Sequence, residues 1–381
     1  MPLTRHRREG FALAIAIAAI IVIGALIAGV FFASTQQYRI GRNTLLQTRA
    51  LDAAEYGVNT LFDTSRTIDA WDAGWNTTTS RGLLATLAFA PGSNVVDTVQ
   101  VTKLDDQQFF ITSEGRVNLG ANAQARRRVG MLVALMVPKV EVRGALTSRG
   151  SVKLGGSSQT IGFDLPVDAD CPPPDSSMPG IAVPDTTQID YAGCHGCVTG
   201  DPPVAEDSVA GDDDTYFQFG DVDWTELVSM ANKLASGSLE PTPSANADST
   251  CKTRDVNNWG GDPEDPTYPS SACNDYYPII YAPGDLQLQN GVGQGILLVE
   301  GDLKVTGQFS FYGPVIVRGT FSTSGNGNHF TGGLMAANVD LEESSDLGDA
   351  VVQYSSCALD RAANGAATAF PARQRPWVAL Y

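Results

Sequence analysis

The chain opens with a basic cluster, Arg5-His6-Arg7-Arg8, followed at once by an uncharged apolar run from Phe11 to Ala33. That run is roughly 23 residues, about 35 Å as a helix, which is enough to cross a bilayer. Polar residues return at Ser34, yet Ile40, Leu45, Leu46, Leu51, Ala54, Val58, Leu61 and Phe62 keep helical spacing. The stripe predicts one continuous helix over 11–62, its first half suited to lipid and its second to a soluble domain.

After the helix the period changes. Residues 63–92 read as irregular, with Trp71, Trp75 and the cluster Thr77-Thr78-Thr79-Ser80. Residues 95–101 and 108–113 alternate apolar and polar, and 126–137 begin basic and turn strongly apolar. These predict a small antiparallel sheet laid on the helix, within a region spanning 63–138. Arg126-Arg127-Arg128 reads as a strand end facing local carboxylates, since an acidic chain offers many.

Glycine then recurs every six residues, at Gly144, Gly150, Gly156 and Gly162, and again at Gly295, Gly301, Gly307, Gly313, Gly319 and Gly325. In the second block the third and fifth hexad positions are apolar: Leu297, Val299, Leu303, Val305, Phe309, Phe311, Val315, Val317 and Phe321, with Met335, Val339 and Leu341 continuing the phase. Alternation puts that set on one buried face, and a glycine at each sixth residue lets the chain turn a corner. The pattern predicts a β-helix, a solenoid of three hexads per coil, over 139–165 and 281–343. Helical spacing of Leu347, Val351, Tyr354, Leu359 and Ala362 predicts a capping helix within a C-terminal segment 344–381.

Residues 166–280 are rich in Pro, Asp, Ser and Gly and read as an acidic insertion with one helix, Trp224 to Ala235, started by Asp223. So few core residues need staples. Cys171, Cys194, Cys197, Cys251 and Cys273 lie in this insertion and Cys357 lies outside it. If all six pair, one bridge joins the insertion to Cys357; fifteen connectivities remain open. Cys194-His195-Gly196-Cys197 lacks the second ligand pair of a zinc site and reads as a structural disulfide. The expected fold class is therefore α+β, mainly β: a long N-terminal transmembrane helix, a small antiparallel sheet, and a Gly-rich solenoid carrying a disulfide-rich acidic insertion and a C-terminal cap.

Composition narrows the function. A formal charge of −17 argues against nucleic acid as a partner. N-terminal bases place that end on the cytoplasmic side of a membrane, and the cysteines suit an oxidising compartment beyond it. No metal or cofactor is expected; Asp212-Asp213-Asp214 and the acids of 262–265 are calcium candidates without EF-hand spacing. Trp259, Tyr276 and Tyr277 could contact a surface or pin their own loop. An enzyme is not expected: the histidines are His6, His195 and His329, and no P-loop, dinucleotide fingerprint or Ser-His-Asp order appears. A β-helix that cleaves polysaccharide would draw on Asp285, Asp302 and Asp340, but Asp302 has no partner in phase.

Arg7-Arg8-Glu9-Gly10-Phe11, the apolar run, and Ala53-Ala54-Glu55-Tyr56-Gly57-Val58 together resemble the N-terminal segment of type IV pilin-like proteins. The last of these is similar to the Ala-Glu-Ala-Gly-Val motif of many minor pilins. The resemblance implies a leader over 1–10, cleavage after Gly10 by a prepilin peptidase, and N-methylation of the new Phe11 amine. It also implies an assembly helix over 11–62, with Ala54, Glu55 and Gly57 in its motif, that packs against other pilins or pseudopilins. Most pilins carry Glu at the fifth mature position, where this chain has Ile15. That lack is similar to the PilX N-terminal type of minor pilin and to the tip pseudopilin of type II secretion. It implies a minor or tip subunit acting in assembly, priming or adhesion, held in a bacterial inner membrane with its head periplasmic or extracellular. The alternative is an uncleaved anchor carrying an extracellular β-helix that binds or cleaves polysaccharide.

Overall fold

The computed structural model describes residues 9–64, 82–92, 94–105, 108–119, 122–174, 177–194, 196–220, 222–265, 267–341, 349–372 and 376–380. The chain is α+β and mainly β, and divides into two compact units. One holds the N-terminal helix, the described residues within 82–133 and the C-terminal segment from Pro371; the other holds the described residues within 134–370.

In the first unit, helix α1 (Glu9–Thr64) runs unbroken for 56 residues, about 84 Å. The sheet has the order β1 (Gly82–Gly92), β2 (Val95–Lys103), β3 (Gln108–Leu119), β4 (Asn122–Met136). β1/β2 and β2/β3 are antiparallel, and Trp377–Leu380 pairs antiparallel with Arg128–Met131 of β4. Strand β1 corrects the irregular reading of 63–92. Its residues are almost all small or apolar, so the alternation that marks β2 is missing, and two register shifts against β2 break the pattern further. Trp71, Trp75 and the threonine cluster lie outside the described residues.

The second unit is a ladder of short parallel strands. Leu286 pairs with Leu303, Leu303 with Phe321 and Phe321 with Val339, steps of 17 or 18 residues. Val339 then pairs with Val152 and Val152 with Ile189. A second column runs Ile280, Leu297, Val315, Leu334, Leu146, Ile181, Val204. The two glycine-periodic blocks are therefore direct neighbours. The chain enters the ladder in the middle at Leu146 and runs out to Val204–Glu206. It re-enters at the far side through Lys233–Leu234 and Gly237–Leu239, and returns to the middle along 279–341.

Leu297, Val299, Leu303, Val305, Phe309, Phe311, Val315, Val317 and Phe321 are all fully buried in one core, as the hexad phase requires. Gly295 shows why the period needs glycine: it has φ +105°, and a Cβ there would lie 2.2 Å from the Pro278 carbonyl oxygen. Farther on the phase slips. Val315 pairs with Leu334, a step of 19, so Leu334 and Ala336 face the core. Met335 joins a different cluster, on the outer flank, with Ile296, Leu298, Ile316 and Trp224. His329 is exposed between buried Asn328 and Phe330.

Two expected boundaries change. The stretch 166–280 is not wholly an insertion, because Ile181–Val183, Ile189–Ala192, Val204–Glu206, Lys233–Leu234 and Gly237–Leu239 are strands of the ladder. Strands of two to four residues between Pro and Asp give too little periodicity to read. Within the stretch, helix α2 (Trp224–Ser229) is shorter than predicted, with Asp223 and Glu226 forming a reciprocal capping box. The C-terminal cap is also corrected. Val351 and Tyr354 lie in a strand, Asp349–Tyr354, and helix α3 is only Ser356–Gly365. Its Ala362 packs with Ile316 and Met335 on the ladder's flank, beside middle strands, so it closes no end.

Candidate functional site: the seat of the N-terminal helix

Helix α1 has two unlike halves. From Leu13 to Ile40 its large apolar side chains are exposed, among them Ile15 at 59% and Phe31 at 73%. It is long and apolar enough to cross a membrane by length and composition. Burial begins at Leu46 and continues through Ala50, Ala53, Ala54, Val58 and Leu61, at helical spacing. Gly10 and Phe11 lie in the first helical turn; residues 1–8, including the basic cluster, lie outside the described residues.

The buried half rests on the sheet through small residues. Gly115 of β3 is so close that a Cβ would lie 2.0 Å from the Ala50 carbonyl oxygen and 2.7 Å from the Ala54 nitrogen. Gly57 lies against Asp97 and Val99 of β2; a Cβ there would meet Asp97 Oδ2 at 1.4 Å. Ala54 and Gly57 are thus contact positions, whereas Glu55 between them is exposed. Small residues on both sides let two backbones approach where larger ones would hold them apart.

Two carboxylates frame this seat, on opposite faces of the sheet by strand alternation. Asp97 is fully buried under the helix, 2.6 Å from the Ser113 hydroxyl, which is also 2.6 Å from the Ala54 carbonyl oxygen. Burial pushes the Asp97 carboxyl up to about 6, outweighing the bonds from Ser113 and the Thr98 backbone. Glu114 faces the other way and is nearly enclosed by Arg116, Arg126 and Arg128. Burial alone would raise Glu114, but the bonds from Arg128 and Arg116 and the charge of Arg126 hold it below the usual carboxylate range. The arginine run therefore does face a carboxylate, while Arg127 points to the helix side and bonds Gln47 at 2.7 Å. Sequence reasoning missed Asp97: inside an alternating strand it reads as one more polar position, and only its partner across the gap shows that it faces inward.

The remaining candidates are placed as follows. The cysteines pair Cys171–Cys357, Cys194–Cys197 and Cys251–Cys273, so one bridge does reach Cys357. Trp259 is fully buried in the ladder core, edge-on to Phe309, and pins its loop. Among the described residues no group of three or more His, Cys, Asp or Glu side chains is placed to hold a metal ion. Asp213 bonds Arg149 at 2.9 Å. Asp285 Oδ1 accepts the Asp302 backbone N–H at 2.9 Å, and Asp302 Oδ1 accepts that of Thr320 at 2.7 Å. Both carboxylates tie one strand level of the ladder to the next.

No protein-family model matches the chain, and no curated protein matches it. Among solved structures, the chain is similar to the competence-associated pilin ComZ from Thermus thermophilus, at 14% identity and a TM-score of 0.23, over 88% of this chain and 97% of that one. A TM-score of that size is too low to establish a shared fold.

Proposed function

We propose that the chain is a minor pilin or pseudopilin, made as a prepilin and incorporated at or near the tip of a type IV pilus or type II secretion pseudopilus. One observation carries this reading: a single unbroken helix whose first half exposes a continuous apolar surface while its second half is seated on an antiparallel sheet. A plain anchor needs only the first half. A helix shared between lipid and domain can exchange its lipid contacts for those of neighbouring subunits without unfolding. Residues 1–10 are the leader, cleaved after Gly10 by a prepilin peptidase in the inner membrane, with Phe11 then N-methylated. Ile15 lacks the buried acid that would pair with a neighbour's terminal amine, which favours an end position over the shaft. The parallel ladder, with its steps near 18 residues and inward column of Val, Leu and Phe, forms a β-helical head. That head is periplasmic before assembly, extracellular afterwards in a pilus, and serves priming or adhesion.

Co-expression with a prepilin peptidase followed by mass spectrometry of the membrane-extracted chain tests the reading. A mature chain beginning at N-methylated Phe11 supports it; an intact Met1 overturns it.

A further inference from the structure

The register of the ladder brings two arginines to one cavity. Val299, Val317, Ala336 and Ser148 are paired in one row across four strands. One residue past that row stand Glu300, Arg318, Ala337 and Arg149. Paired strands are about 4.8 Å apart, so the backbones of Arg318 and Arg149 stand roughly 10 Å apart with only the Ala337 methyl between them. The gap is a cavity of about 210 Å³, walled on its other side by Tyr216 and Phe217.

Both guanidinium groups are held in place by rings. Arg149 Cζ lies 4.8 Å from the Tyr216 ring centre, and Arg318 Cζ lies 4.5 Å from that of Phe217 and 5.6 Å from that of Trp224. Stacking fixes the plane of a guanidinium and leaves its edge donors free, which is how arginine is prepared for a planar oxyanion. Arg149 Nε is buried and has no hydrogen-bond partner. Its other contact, Nη1 to Asp213, is with a side chain 76% exposed, and Asp213 makes no capping bond to the helical turn it precedes. An exposed ion pair of this kind contributes little and can be exchanged for a ligand's oxyanion. Arg318 spends one nitrogen on Glu300 and keeps further donors.

We propose that this cavity binds the carboxylate or sulfate group of a small anionic ligand, seated over Ala337 and bridging Arg149 and Arg318. At about 210 Å³ it takes the charged end of such a ligand, being smaller than the 300 Å³ or more of a site for a whole drug-sized molecule. The proposal stands independently of the assembly role above.

The test is calorimetric titration of the full chain in detergent with sodium glucuronate, sodium sulfate and, as the neutral counterpart, glucose. Glucuronate or sulfate should bind saturably in the millimolar range, and glucose should not. Binding of glucuronate alone assigns a planar carboxylate; binding of both assigns a general oxyanion seat. Arg149→Gln and Arg318→Gln should each weaken binding roughly tenfold, and Asp213→Asn should strengthen it a few-fold by removing the internal competitor. Ala337→Leu keeps both arginines and fills the gap, so it should abolish binding even if an arginine variant proves unstable. No saturable binding of either anion, or equal binding by the wild type and Ala337→Leu, overturns the proposal.

Discussion

Asp97 Oδ1 lies 2.6 Å from the Ser113 hydroxyl, beneath helix α1, where neither residue reaches water. The same hydroxyl is 2.6 Å from the Ala54 carbonyl oxygen. A hydroxyl has one proton and cannot donate to both. Both contacts are satisfied when Asp97 is neutral: the carboxyl donates to Ser113, and Ser113 donates to Ala54. An ionised Asp97 would leave two acceptors competing for one proton, and a buried charge beside the α1 backbone.

The folded pKa of Asp97, about 6, is above its ordinary 3.8, so the native state binds the extra proton. Stability from this group is present in full below about pH 4 and falls as pH rises to about 6, by on the order of 3 kcal/mol in all. Thermal unfolding at stepped pH should show the melting temperature dropping across that window. Asp97→Asn keeps a donor and an acceptor without a titrating proton and should flatten the profile. A wild-type profile already flat from pH 4 to 7 would rule out the neutral carboxyl.

Gly115 and Gly57 set the distance between helix and sheet. At Gly115 the obstacle to a Cβ is backbone, the Ala50 carbonyl at 2.0 Å, so the helix itself would have to lift. Gly115→Ala is expected to cost about 3 kcal/mol or more, at or above the upper end of ordinary overpacking. At Gly57 the nearest atom belongs to the Asp97 side chain, which would be forced off its Ser113 bond, so Gly57→Ala should also destabilise and should shift the pH profile above. Gly41 has nothing within 4 Å, and Gly41→Ala should stabilise slightly, by about 0.5–1 kcal/mol of helix propensity. Chemical denaturation of the three variants side by side checks the order.

Glu114 works with the opposite sign. Its folded pKa is held below the unfolded value, so its contribution is present above about pH 4.3 and is lost as pH falls through the folded value. Glu114→Gln removes the charge from three guanidinium groups at once and should cost about 1–3 kcal/mol at pH 7, vanishing at low pH. Raising salt should weaken the wild type more than the variant, because its arginine partners are partly exposed.

What could be read in advance follows from how far each signal extends along the chain. The α1 stripe repeats for about fifty residues, and glycine recurs at six-residue spacing from Gly295 to Gly325, so each survives individual exceptions. The hexad count gave the 18-residue step that pairs Leu303 with Phe321. It could not foresee the single extra residue that turns Met335 outward and puts Leu334 in the core. Nor could it find strands of two to four residues such as Lys233–Leu234, whose membership in the ladder depends wholly on a partner from another part of the chain. The seat of the helix was half legible: Ala54 and Gly57 were visible as a motif, but Asp97 and Gly115 acquire their meaning only across the contact.

The Cys171–Cys357 bridge closes a loop of 186 residues and joins the segment after the early ladder strands to helix α3. It does not act alone. Arg361 makes two bonds to Asp168, at 2.6 and 2.8 Å, and Asp164 receives both the backbone N–H and the hydroxyl of Ser356 at 2.9 and 2.7 Å. The Arg361 bonds hold Asp168 below the usual carboxylate range. Three tethers at one join are expected to couple, since each lowers the entropy lost in forming the next. Cys171→Ser with Cys357→Ser should cost about 2–4 kcal/mol, mostly through a less constrained unfolded chain. Arg361→Ala made in the bridged protein should cost more than the same change made without the bridge, because the bridge already holds the two sides of the ion pair together. A double-mutant cycle by denaturant unfolding under oxidising conditions measures the difference; strict additivity would show that bridge and ion pair hold the join independently.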